Sequence, residues 1–293
     1  MSRKAHSSIP RLSQSRLNEI GELAEFVAER RWTAKGLDLA ALLTEQGITF
    51  SFNAYADAFD GLLEYKEGRF HVYCNLNRME RPDSARARFT LGHELGHYYI
   101  DDHREALASG SAEAHASFCD YESKIPTERE ADHFASNLLM PAERFRKEAA
   151  RAGRGLAGIL RLRGSFNTSV TSTAIRYASL GISPCALVKW TAKGVAWKWM
   201  SGDIREAGYW TTVTDPARLA PGSPTVLALA GQVPSKDFFE SGTTAAAWFP
   251  YTTDGSTRNI ILIEQAIPLG RFGVLTFLYP ESGNLNFWPT TGA

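Results

Sequence analysis

Cysteine is scarce in this chain: Cys74, Cys119 and Cys185 are the three among 293 residues. They are widely spaced and odd in number, which excludes a disulfide framework and fits a reducing, cytoplasmic setting. An excess of either charge is missing too. Lysine plus arginine and aspartate plus glutamate stand at 32 each, so the whole-chain balance draws it neither to nucleic acid nor to a membrane surface. No apolar run approaches the roughly 18 residues a membrane span needs. The N-terminus, MSRKAHSSIPRLSQSR, is basic but has no apolar stretch behind it, so it is not expected to act as a signal peptide. There are no evident repeats. What remains is an ordinary globular composition, long enough for two domains or three small ones.

Against this plain background one motif stands out, His93-Glu94-Leu95-Gly96-His97. Positions i and i+4 share a helix face, so His93 and His97 can hold one metal ion between them. Glu94 is then placed to take a proton from a water activated by that metal. The surroundings predict the required helix. Pro82-Asp83-Ser84 is a start signal with Asp83 or Ser84 able to cap, and no proline falls between 85 and 100. Phe89, Gly92, His93, Gly96, His97 and Ile100 recur at helical spacing, which puts both imidazoles on the inward stripe. Buried imidazoles need partners, and a metal is a good one.

The rest of the chain reads as mixed α and β. Residues 1–12 look like a loose tail. Helices are expected over 13–32 and 37–46, a strand over 48–52, and a hairpin of strands 62–66 and 69–75 turning at Glu67-Gly68. A weakly patterned stretch, 101–127, leads to a helix over 128–140 that Pro141 ends. Residues 143–176 are locally basic and pair two helices, 156–163 and 170–180, around a turn. This pattern suits a helix-turn-helix, and equally two packed helices with solvated arginines. From Pro184 onward tryptophans, β-branched runs and Gly/Pro/Thr turns predict a separate, strand-rich domain, with 259–264 and 272–279 as its clearest strands.

A catalytic zinc site needs a third protein ligand and an open position. His103 follows His97 at the metzincin interval, but Ile100 stands where that pattern needs glycine for a sharp exit from the helix. A carboxylate from the 128–140 helix is the better candidate. Ala131, Phe134, Ala135, Leu138 and Leu139 form its apolar stripe. Glu128 lies about 50° from the stripe's centre and Glu130 about 110° away, on the expected solvent side. Asp132, one turn after Glu128, is placed to orient a metal-binding histidine. Glu122 is within reach in sequence but sits in the weakly patterned stretch. His133 and His71 are expected at the surface, and His115 and Cys119 are expected to be structural.

These residues resemble the ImmA/IrrE metallopeptidases. Arg88-Phe89-Thr90-Leu91-Gly92-His93-Glu94-Leu95-Gly96-His97 parallels that family's RFTLAHELGH. Glu128, Asp132 and the run from Phe134 to Pro141 parallel its Glu, Asn and FAxxLLMP. Gly92 replaces the usual Ala, and Asp132 stands where Asn is common. The resemblance implies an α+β fold with a zincin-like metallopeptidase domain over 1–142, a helix-turn-helix-like segment over 143–183 and a GAF-like α/β sensor domain over 184–293, nearest the IrrE (PprI) branch. It implies a metal-dependent endopeptidase that cleaves a helix-turn-helix transcriptional repressor encoded nearby, and so releases a stress or mobile-element response. His93, His97 and Glu128 would bind Zn2+, with Mn2+ or Fe2+ as alternatives, and Glu94 would be the catalytic base. Two rival readings stand beside it: a DNA-binding regulator contacting DNA through 143–181, and a ligand-gated sensor that keeps the metallopeptidase fold as scaffold.

Overall fold

The computed structural model describes residues 12–33, 36–112, 114, 116–118, 125–209, 212–249 and 260–282. The expectations for the 1–12 tail (Leu12 apart) and for His115, Cys119 and Glu122 lie outside the described residues. By backbone contacts the chain divides into two compact units, Met1–Phe145 with Ser165–Ser169 and Arg146–Gly164 with Val170–Ala293.

The first unit opens with α1 (Gln14–Glu29), capped by the Ser13 hydroxyl, which accepts from Arg16 N. A short pair, β1 (Trp32–Thr33) and β2 (Gly36–Leu37), leads to α2 (Leu39–Glu45). Then come β3 (Thr49–Asn53), β4 (Gly61–Lys66) and β5 (Arg69–Asn75). The β4–β5 hairpin turns at Glu67 and Gly68, both at positive φ (51° and 79°), which suits the tight turn expected there. β5 runs through the middle of the three-stranded sheet, parallel to β3 and antiparallel to β4. Both hydrogen-bonding sides of β5 are thus occupied, and the strand that borders α3 on the sheet's rim is β4.

Three helices complete this unit, α3 (Ala85–Tyr99), α4 (Asp101–Ala108) and α5 (Pro126–Leu139), and the division after Phe145 falls within α6 (Ala142–Ala152). α3 packs on the sheet and on α5, and α1 covers α5. Leu95, Phe134, Ala131 and Leu138 are fully buried in that contact, and Tyr99 stacks on Phe134. The turn entering β4 is held by two buried polar groups. Asn75 donates to the carbonyls of Ala56 and Phe59 and accepts from the amides of Tyr55 and Asn77. Asp60 accepts from Arg78 and Arg86, both at 2.6 Å.

The helices α7 (Gly155–Phe166) and α8 (Val170–Ser179) precede the second sheet. Its strands are β6 (Ala186–Thr191), β7 (Gly194–Met200), β8 (Phe239–Thr244), β9 (Ile261–Pro268) and β10 (Val274–Pro280). They are antiparallel throughout, in the order β7-β6-β10-β9-β8. Short helices α9 (Gly202–Glu206), α10 (Pro224–Leu229) and α11 (Ala245–Trp248) fill the connections. One sheet face carries Val188, Trp190, Leu262 and Leu278 into a core with Trp248 and Tyr209. Glu264 is buried on this face because Thr225 N and Trp248 Nε1 both donate to its carboxylate.

Strand alternation turns Lys189 to the other face, with Leu187. Its buried ammonium has no hydrogen-bond partner among the described residues, and burial pulls its pKa down from 10.5 to about 8. Between those two values the unfolded chain holds the proton that the folded one has lost. Stability therefore rises as pH climbs through that window and is lowest below it. Lys189→Met, which keeps the stem and removes the charge, is expected to raise stability by about 1–3 kcal/mol at pH 7. The gain should shrink toward pH 10; denaturant unfolding at both values checks it.

Candidate metal centre

The helix that carries His93 and His97 starts where the sequence places it: the Ser84 hydroxyl accepts from Ala87 N at 3.2 Å. Every residue from Phe89 to His97 is buried. α5 begins at Pro126, whose missing N–H suits a first helical position, and brings Glu128 in its first turn. The two helices set three side chains face to face. His93 Nε2 lies 3.3 Å from Glu128 Oε2, His97 Nε2 lies 3.1 Å from Glu128 Oε1, and the two Nε2 atoms are 3.1 Å apart. Among the described residues this is the group whose ligand atoms converge, all within 4.8 Å of one another. Each of the three is at most 5% exposed.

The donor set suits a cation. Asp132 lies 2.9 Å from His93 Nδ1. A carboxylate only accepts, so Nδ1 carries a proton and Nε2 is the nitrogen left to face a cation shared with Glu128. Electrostatics point the same way. Burial pushes the pKa of His93 down, yet the hydrogen bonds from Asp132 and Glu128 and the charge of Glu94 lift it well above its usual value. Burial takes His97 down to about 3. The site thus attracts one positive charge to offset its carboxylates.

Glu94 is 1% exposed, and its carboxylate lies against the first residue of β4. A Cβ on Gly61 would come 2.5 Å from Glu94 Oε1 and would also strike Thr90 Cγ2. Glycine is what lets the rim strand run this close to the carboxylate. Cys74 lies nearby on β5, but burial raises its pKa and holds the thiol protonated, which suits neither a ligand nor a nucleophile.

Several neighbours differ from expectation. Glu130, expected at the solvent side of α5, is 9% exposed. Arg16 of α1 and His103 of α4 cover it, at 3.0 and 3.1 Å from its Oε2. A helical wheel weighs apolar positions and cannot foresee that a cation and an imidazole will line the other side. His103 is buried as well, with its Nδ1 3.2 Å from His97 Nδ1, on the side of that ring away from Glu128. Ile100 closes α3 in extended conformation (φ −77°, ψ 110°) and lets α4 fold back. His133 is half-buried, its Nε2 2.9 Å from the carbonyl of Leu17, and His71 is held by Thr49 and Ser51 hydroxyls at 2.7 and 2.9 Å. Sequence reasoning missed Arg16, since nothing local announces a partner 114 residues away. The proximity of Gly61 to Glu94 had no local signal either.

Residues 78–177 match the family model of the IrrE N-terminal-like domain, a peptidase family. The matched stretch, about a third of the chain, contains His93, Glu94, His97, Glu128 and Asp132, and over it the chain is similar to that family. Among solved structures, a Mycobacterium tuberculosis transcriptional regulator superposes with a TM-score of 0.55 at 13% identity, covering 92% of this chain and 82% of that one. At that identity the likeness concerns the fold alone. No curated protein matches the chain in sequence.

Proposed function

We propose that the protein is a metal-dependent endopeptidase with a zincin-like catalytic domain, nearest the IrrE branch of its family, that cleaves a helix-turn-helix transcriptional repressor. The observation that carries this reading is the convergence of His93 Nε2, His97 Nε2 and the Glu128 carboxylate beside a buried Glu94. Two imidazoles and one carboxylate match the zinc donor set of hydrolytic sites. When bound, Zn2+ would lower the pKa of the attacking water toward about 7 and polarise the scissile carbonyl. Glu94 takes the water's proton and returns it to the leaving amine nitrogen. Asp132 holds His93 with Nε2 turned inward. The substrate adds as an extended strand along the rim of β4 beyond Gly61, whose own outer N–H and C=O pair with Ser117. Residues 184–293 act as a GAF-like sensor domain that governs this activity in the cytoplasm, as part of a stress response.

The test is to incubate the full chain with a helix-turn-helix repressor encoded next to it, with Zn2+, with Mn2+ and with a chelator. A single cut that requires metal and stops on chelation is the expected result. A repressor left intact under every metal condition sinks the proposed activity.

A further inference from the structure

The proposed centre explains Asp132 but leaves unexplained a second polar chain on the opposite side of His97. His103 Nδ1 stands 3.2 Å from His97 Nδ1, and His103 Nε2 stands 3.1 Å from Glu130 Oε2. Glu130 is in turn clasped by one guanidinium, with Arg16 Nε 3.2 Å from Oε1 and Arg16 Nη2 3.0 Å from Oε2. Arg16 also reaches Glu19 and Asp102, which anchors it between α1 and α4. These groups are supplied by three helices, α1, α4 and α5, within one compact unit.

The order of donors and acceptors along this chain can be read from its far end. The fork of Arg16 holds Glu130 as a carboxylate, which only accepts. His103 must therefore present N–H at Nε2, and a neutral imidazole with its proton there has a lone pair at Nδ1. That lone pair faces His97 Nδ1 and offers an acceptor for a proton there, against Glu128, which offers one at Nε2. With the His97 proton on Nδ1, the lone pair of His97 falls on Nε2, the atom that faces Glu128 and His93. The opposite tautomer of His97 would turn an N–H into the cluster and block ligation. We propose that His103, aligned by Glu130 and Arg16, is a positioning residue that fixes His97 in its metal-binding tautomer. It does indirectly for His97 what Asp132 does directly for His93. This inference rests on the proposed metal centre for its purpose, but the tautomer of His103 is set by Glu130 with or without a metal.

The experiment compares His103→Leu, which fills the space without an acceptor, with His103→Asn, whose carbonyl oxygen sits near the former Nδ1. Metal affinity is measured by chelator competition with Zn2+, and the ligand field is read from the Co2+ spectrum. Partners of this kind are worth about 10- to 100-fold in metal affinity. His103→Leu should lose that factor and alter the Co2+ spectrum, and His103→Asn should recover most of both. Equal affinities for wild type and His103→Leu, or an Asn variant as weak as the Leu variant, overturn the proposal. Histidine 1H–15N spectra of the metal-free wild type should show His103 as the Nε2–H tautomer, with Nδ1 left to accept from His97; the Nδ1–H form also overturns it. That measurement separates the two ideas: wild type that binds no metal ends the proposed centre, whereas the spectrum still decides the relay. If His103→Leu does not fold, Glu130→Gln takes its place. Its amide can donate to His103 Nε2, admits the reversed chain, and should likewise weaken metal binding.

Discussion

Glu94→Gln is expected to retain the metal and to lose about 10²- to 10⁴-fold in the rate of repressor cleavage, the range that a positioned general base supplies. The argument is geometric. Glu94 is in the middle of α3, buried, with its carboxylate pressed against Gly61, and glutamine has the same shape. The cradle stays filled, and the three converging ligand atoms belong to other residues. What changes is chemical: an amide cannot accept the proton of the attacking water, nor hand it to the leaving amine. The loss should therefore appear in kcat at unchanged metal content, measured by single-turnover cleavage beside chelator titration. A glutamine variant that still cuts at the wild-type rate removes Glu94 from the mechanism. A variant that has lost its metal shows instead that Glu94 supports the ligand cluster.

Local patterning made most elements legible. The cap at Ser84, the turn at Glu67-Gly68 and the apolar stripe of α5 each depend on residues close in sequence, and each forms at or within about two residues of its expected place. His93, His97 and Glu128 could be singled out because one spacing rule and one helical wheel are enough to aim them. The wheel failed at Glu130, and the weak pattern of 101–127 hid α4 and with it the surroundings of His103. Both failures have one cause. Arg16, His103 and Glu130 satisfy one another across three helices, and such pairing leaves no periodic trace in any of them. The place of β5 in the middle of its sheet was not legible in the sequence for a related reason. A strand's alternation shows which face is buried but not which strands lie on either side, and here β3 and β4 flank it.

The distance between α3 and α5 should be set by two glycines that are not equivalent. A Cβ on Gly96 would stand 3.0 Å from Ala131 Cα, 3.1 Å from Ala131 O and 3.2 Å from Phe134 Cβ. Two of those atoms are backbone, so the helices must part to admit a side chain. A Cβ on Gly92 would meet Ala135 Cβ at 3.4 Å, which is ordinary contact. Gly96→Val is therefore expected to destabilise the fold by about 1–3 kcal/mol through overpacking. Its larger effect should be on the metal, because α5 carries both Glu128 and Asp132. Moving that helix by about 1 Å separates them from His93 and His97 together, and misplacement on that scale costs about 100-fold in a site that depends on alignment. Gly92→Ala should leave metal affinity unchanged and gain about 0.5–1 kcal/mol from helix propensity. Thermal unfolding of the metal-free variants and chelator competition of the loaded ones separate the two terms. A valine at 96 that binds Zn2+ as tightly as wild type would show that the helix spacing is held elsewhere, and that small residues on α3 serve packing without tuning the centre.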